Sequence, residues 1–423
     1  MPRYHIWTIG CQMNKADSRR LADELERRGY TPTECAEDAD LVVLNSCVVR
    51  QSAENRVVGR LTSLRPLKRL RPEARIALTG CMVGLEPDGL ARRFPYVDAF
   101  CRPGDFQPLL ALVRGADATQ PAAPYAVTAY VPIIEGCDNY CSYCIVPYRR
   151  GRERSRPLAE IVCEIEALAA RGVREVTLLG QNVDSYGHDL PDRLDLASLL
   201  EAVNALRGLT RVRFLTSHPK DMTPRLIDAV ARLDKVCEHF CLPLQAGDDA
   251  TLLAMRRGYT VDDYRRLVAL IRECVPGAAL STDVIVGFPG EAEAQFQRTL
   301  RLLAELRFGT VHVAAYSPRP GTAAARLCDD VPPDAKKERL RLVEEQQERI
   351  AAEINAGLVG TEVEVLVEER VKGKWSGRTR GDKIVFFGDA ADQRRRLVLV
   401  RIERATAWSL QGRLSAAGAG DNP

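Results

Sequence analysis

The chain has 423 residues, 46% of them apolar, and a net charge of only +3. That length corresponds to roughly two to four domains. The apolar share is enough for sizeable cores and argues against global disorder, and a charge so near zero excludes a uniformly basic coat for nucleic acid, so any affinity for RNA must be local.

The first block covers residues 2–119. A strand is expected at 4–9, a helix at 17–28, a buried strand at 40–45 (DLVVLN), a helix at 53–64 and a strand at 75–79. Alternation of this kind predicts an open α/β sheet. Residues 115–124, rich in Ala, Pro, Asp and Gln, read as a linker. The second block runs over 123–355. Strands at 127–134, 175–179, 212–216, 239–244, 279–286 and 310–315 alternate with helices at 158–170, 196–206, 224–231, 261–273 and 291–306. Six repeats predict a parallel barrel or partial barrel, with its active site at the C-terminal strand ends. A charged helix at 333–355 leads out. The third block, 356–417, alternates apolar and polar residues at 362–368 (EVEVLVE), with further strands at 383–387 and 397–402. It predicts a small all-β barrel, and residues 418–423 a tail. From 355 to 415 there are twelve Lys and Arg against eight Asp and Glu, so the surplus of positive charge sits here.

Thirteen cysteines are many for a chain whose first residues do not read as a signal peptide and that has no run of about 18 apolar residues. The pattern predicts a cytoplasmic protein with no membrane segment, some of whose thiols bind metal. Cys137, Cys141 and Cys144 have the spacing Cys-x3-Cys-x2-Cys, directly after the first strand of the second block. Zinc would want a fourth ligand nearby, and the next histidine is His188. Three thiolates on a short loop suit three irons of a cubane cluster, leaving the fourth iron open to the amino and carboxylate groups of S-adenosylmethionine (SAM).

This triplet resembles the motif of the radical SAM superfamily. Tyr143 matches its usual aromatic position, beside the adenine of SAM. The resemblance implies reductive cleavage of SAM to a 5′-deoxyadenosyl radical. It also implies that Gln181, Asn182, Ser217 and Gln245, all near strand ends, complete the SAM site, with the turn 287–291 (GFPGE) after the fifth strand.

Cys11, Cys47 and Cys81 each follow the end of an expected strand. In an open parallel sheet such ends gather at one edge. Gly10 and Gly80 precede two of them and allow a sharp turn. Buried cysteine is common, so one such thiol would mean little, but three at equivalent places favour a second cluster. The order of the three blocks is similar to that of the methylthiotransferases. The likeness extends over GCQMN at 10–14, YRRGRERSR at 148–156, LGQNVDSYG at 179–187, LTSHPKD at 215–221 and YSPRPGT at 316–322.

The resemblance implies two [4Fe-4S] clusters, SAM, and a one-electron donor such as flavodoxin or ferredoxin; the sulfur donor stays open. Gln12-Met13-Asn14 points to the branch acting on N6-dimethylallyladenosine beside the anticodon, in a tRNA anticodon stem-loop. Threonylcarbamoyladenosine and a ribosomal-protein aspartate are the alternative substrates, and a non-catalytic zinc protein that binds RNA is the alternative class. Arg149, Arg150, Arg152, Arg154 and Arg156 are expected to meet phosphate. The stretch 370–380 resembles a TRAM domain, a tRNA-binding module, with Trp375 either stacking on RNA or lying in the core. Cys237 and Cys241 are expected to be structural thiols.

Overall fold

Five short apolar segments at the start of the chain pair into one parallel sheet: β1 (Arg3–Thr8), β2 (Thr31–Pro32), β3 (Leu41–Ser46), β4 (Arg75–Gly80) and β5 (Ala99–Cys101), in the order β2-β1-β3-β4-β5. β3 is buried at all six positions, as a central strand covered on both faces must be. Helix α1 (Gln12–Arg27) leaves β1 and buries Met13, Ala16, Leu21 and Leu25, while α2 (Gln51–Leu70) follows β3. The computed structural model describes residues 1–49, 51–84, 88–113, 126–192 and 194–415. The linker and tail expected at 115–124 and 418–423 lie outside them.

The middle block forms β6 (Thr128–Pro132), the short antiparallel pair β7 (Ile134–Glu135) and β8 (Arg154–Ser155), then β9 (Glu175–Leu179), β10 (Arg211–Phe214), β11 (His239–Cys241), β12 (Ala279–Val286) and β13 (Thr310–Ala315). Two three-stranded parallel sheets, β10-β9-β6 and β11-β12-β13, meet through the bridge between Val212 and Val236. Together they make an open arc of six strands backed by helices. Its core includes the fully buried rings of Phe214, Phe240, Phe288, Phe296 and Phe308. The single strand expected at 127–134 is divided at Ile133, and the helix expected from 291 begins at Glu293.

The last block is a closed barrel of β14 (Glu362–Val371), β15 (Lys374–Thr379), β16 (Ile384–Gly388), β17 (Leu397–Ala405) and β18 (Leu410–Leu414), in the order β14-β15-β16-β18-β17. Trp375 is a core residue here, 5% exposed, its Nε1 donating to Ala391 O at 3.1 Å. Two arginines of β10 fasten this barrel to the arc. Arg211 donates to Arg378 O (2.7 Å) and Glu364 (2.7 Å), and Arg213 to Arg380 O (2.6 Å) and Thr379 O (2.5 Å). No helix among the described residues is long and apolar enough to cross a membrane.

Candidate functional site

The first cysteine set sits where strand ends meet α1. Cys11 is the residue before the helix, Cys47 follows β3 and Cys81 follows β4. Gly10 and Gly80 have φ of +133° and +91°. A Cβ on Gly80 would stand 2.4 Å from Ser46 O, and one on Gly10 would stand 2.8 Å from Cys47 Cβ, so both turns require glycine. Asn14, fully buried, donates from Nδ2 to Ile9 O (3.0 Å) and Ser46 O (2.8 Å), tying the ends of β1 and β3 together. Cys11 and Cys81 are close enough to Cys47 to oppose its ionisation, and Cys11 does the same to Cys81. Burial pushes the Cys47 thiol up to about 11 and raises that of Cys81.

The second set lies on the loop between β7 and a short helix, Val146–Arg150. Gly136, with φ +78°, would carry a Cβ only 2.0 Å from Arg152 O. Ser142 clasps the loop to the C-terminal end of helix Asp249–Ala254, its N–H donating to Met255 O (2.9 Å) and its Oγ to Ala254 O (2.7 Å). Burial pushes Cys137 up to about 11 and Cys144 up to about 12. Such thiols are poor free nucleophiles at neutral pH, whereas a coordinated metal would deprotonate them outright, so the donor chemistry fits metal ligands better than covalent catalysts. Among the described residues no three His, Cys, Asp or Glu close around a single ion. A cubane does not ask for that, because its thiolates bind separate irons.

The two sets are physically linked. Helix Val146–Arg150 starts two residues after Cys144, with Pro147 in its first turn, and ends on Arg150. The Arg150 guanidinium reaches Asp17 Oδ2 (3.2 Å) and Asn14 Oδ1 (3.4 Å) and faces Cys81 and Cys11. Its side chain is 3% exposed. This corrects the reading of residues 149–156 as one RNA-facing basic loop. Arg156 is also spent internally, on Pro132 O and Glu164, whereas Arg152 and Arg154 are 78% and 80% exposed.

A cavity of about 600 Å³ opens beside Cys144, lined by Tyr143, Cys144, Gln245 and Asp283 from the arc and by Val49 and Gln51 from the first block. Its size is that of a small-molecule site. Arg319 spans the seam, donating to Gln51 Oε1 at 3.3 Å and pairing with Glu54 at 3.6 Å. The buried Oε1 of Gln245 has no protein partner, which leaves an acceptor for a ligand. Gln181, Asn182 and Ser217 stand outside this lining. Gln181 Oε1 accepts the Gly136 N–H (2.6 Å), Asn182 Nδ2 donates to Asp221 (2.7 Å), and the Ser217 hydroxyl donates to Asp184 Oδ1 (2.9 Å). Sequence reasoning missed Asp184, whose carboxyl is pushed up to about 7 by burial, and Arg257, which reaches Cys141. Cys237 is buried and Cys241 partly so, both as free thiols.

Comparison with known proteins bears on the whole chain. Residues 131–303 match the Radical SAM superfamily, 357–415 the TRAM domain, and 3–102 the uncharacterized protein family UPF0004. The chain is 51% identical over 415 residues to the tRNA-2-methylthio-N(6)-dimethylallyladenosine synthase of Dehalococcoides mccartyi, covering 98% of this chain and 99% of that protein. It is 52% identical to the protein of the same name from Chloroflexus aurantiacus, covering 97% and 91%. Among solved structures, the radical SAM methyltransferase TsrM from Kitasatospora setae, with cobalamin and a [4Fe-4S] cluster bound, superposes with a TM-score of 0.55 at 16% identity, covering 77% of this chain and 74% of that one. At that identity the likeness is one of fold.

Proposed function

The chain belongs to the family of tRNA-2-methylthio-N(6)-dimethylallyladenosine synthases within the radical SAM superfamily, and from that membership we propose that it installs a methylthio group at C2 of N6-dimethylallyladenosine beside the anticodon of tRNA. The observation that supports this most is the placing of the two cysteine triplets on either side of one seam, where Arg150, at the end of the helix after Cys144, faces Cys81 and Cys11, and where a cavity opens between Tyr143 and Cys144 on one side and Val49, two residues after Cys47, on the other. We assign Cys137, Cys141 and Cys144 to the cluster that binds SAM, and Cys11, Cys47 and Cys81 to a second [4Fe-4S] cluster. When bound, these groups supply the radical that activates C2, the sulfur that joins it and, from a further SAM, the methyl group.

The protein's own contribution is placement. Gly80 and Gly136 allow the ligand loops to approach backbone that any side chain would hit, and Gly10 allows the same close approach to the side chains of Cys47 and Asn14. The raised thiol pKa values keep unligated cysteines protonated and unreactive. Tyr143 and the open acceptor of Gln245 face the cavity and are assigned to SAM, whereas Gln181, Asn182 and Ser217 brace the loops around it. Arg150 and Arg319 seal the seam between the two ligand sets and limit the entry of water. The adenine must leave its stack to enter this space. Tyr140 of the cluster loop and Tyr148 of the short helix after it, both exposed and edge-to-face at 6.1 Å, are assigned with Arg152 and Arg154 to the anticodon stem-loop, through stacking and phosphate contact. Arg370, Lys372 and Lys374 of the TRAM barrel are assigned to more distant phosphates. The reductant is assigned to a small electron carrier such as flavodoxin or ferredoxin.

An anaerobic assay of Cys47→Ala tests the division of labour. SAM cleavage should persist while methylthiolated tRNA disappears. Methylthiolated product at the parental rate would overturn the role given to the first cysteine set.

A further inference from the structure

Buried arginines in this chain come with carboxylates. Arg211 pairs with Glu364 at 2.7 Å, Arg213 with Glu175 at 2.8 Å, Arg339 with Glu291 at 2.8 Å, Arg150 with Asp17 at 3.2 Å and Arg319 with Glu54 at 3.6 Å. Arg257 is buried just as deeply, at 4% exposure, yet among the described residues no carboxylate lies within ion-pair distance of it. Its Nε donates to Tyr259 Oη (3.0 Å) and its Nη2 to Pro243 O (3.1 Å). Nη1 is directed at Cys141 Sγ (3.3 Å), with Tyr143 Oη at 3.5 Å.

A guanidinium stripped of water without an anion is costly, by several kcal/mol. The phenols and the carbonyl are neutral. Of these partners only Cys141 belongs to the proposed metal ligands, and a bound metal would hold its sulfur as a thiolate at neutral pH, where the phenols stay protonated. The surrounding backbone maintains the contact. Ser142 is clasped to Ala254 and Met255, three and two residues before Arg257, and Arg256 accepts a left-handed conformation (φ +57°). Strain of that kind persists where the neighbouring structure fixes it.

We infer that Arg257 is the built-in counter-ion of the metal-bound Cys141 thiolate, a positioning residue that sets the potential of the SAM-binding cluster and holds the Tyr143 ring beside it. The inference rests on the assignment of Cys137, Cys141 and Cys144 to a cluster. A cationic hydrogen bond to a ligand sulfur stabilises the more negative, reduced state, so Arg257 makes the one-electron reduction of the cluster easier. Tyr259, which orients the guanidinium, donates in turn to Leu244 O (2.8 Å), beside the cavity residue Gln245.

The test uses the full chain with Cys11, Cys47 and Cys81 changed to Ala, so that one cluster remains, and adds Arg257→Gln or Arg257→Lys. Iron is counted, and the midpoint is measured anaerobically by dithionite titration with paramagnetic resonance detection. Arg257→Gln should load the same iron and shift the midpoint to more negative potential, and Arg257→Lys should shift it less. An unmoved midpoint in iron-replete Arg257→Gln would overturn the inference. If Arg257→Gln fails to retain iron, the lysine variant decides. Iron retained by Lys supports the counter-ion, and equal loss from both, with thermal melting unchanged, refutes it. A parent that binds no iron would fail the cluster assignment itself and the inference with it.

Discussion

Replacing Arg150 by Met tests how the two cysteine sets are joined. Arg150 and Asp17 form an ion pair whose side chains are 3% and 2% exposed. Asp17 Oδ1 has no other partner, and burial already pushes this carboxyl up against the opposing pull of Arg150. Arg150→Met strands that carboxylate, and breaking one side of a buried pair costs about 3–5 kcal/mol. The 3.4 Å bond to Asn14 is long and adds little. Set against a stability of about 5–15 kcal/mol, this is a large loss, corresponding to roughly 10 °C in melting temperature. The variant also removes the cation facing Cys11 and Cys81, so the reconstituted protein should lose about half its iron. Adding Asp17→Asn removes the stranded charge and should restore much of the stability without restoring the iron. Thermal melting of the metal-free protein and iron analysis of the reconstituted one read the two effects separately. Parental melting and full iron in Arg150→Met, or a double variant no more stable than the single one, would refute the reasoning.

Two further outcomes follow from neighbouring groups. Arg152→Ala with Arg154→Ala breaks pairs with Asp138 and Glu135 in which the arginines are solvent-exposed, so melting should barely move, while tRNA affinity falls and its salt dependence flattens by roughly one phosphate contact per arginine; unchanged affinity at low salt would remove these residues from the RNA surface. Asp184 has a folded pKa of about 7, raised from 3.8, so its stabilising protonated form is fully present below pH 3.8 and is lost as pH rises through 7. Asp184→Asn should therefore be more stable than the parent at pH 8, by up to about 4 kcal/mol, with no advantage at pH 4; melting curves that track the parent at both pH values would contradict the assignment.

Much of this architecture was legible because its signals are local. Apolar runs such as residues 41–46 form strands whatever surrounds them, and a Cys-x3-Cys-x2-Cys loop carries its ligand count in its own spacing. Strands β15 and β18 were not legible, because KWSGRT and LQGRL are polar and contain glycine, which weakens a strand signal. The closed barrel explains both residues. A Cβ on Gly377 would stand 2.1 Å from Leu366 O, and one on Gly412 would stand 2.2 Å from Arg401 O. The fate of Arg150 was hidden for a different reason. Its partner Asp17 lies 133 residues earlier, and nothing near 149–156 separates a buried arginine from the exposed ones beside it. Arg257 likewise stands in an unremarked stretch, and only its burial beside Cys141 gives it meaning.

The most direct test of the central claim is mass spectrometry of tRNA nucleosides from cells lacking this gene, with and without its restoration. The account predicts that restoration brings back 2-methylthio-N6-dimethylallyladenosine while its unthiolated precursor falls. A precursor that stays unchanged while a different methylthiolated product responds would contradict the substrate assignment.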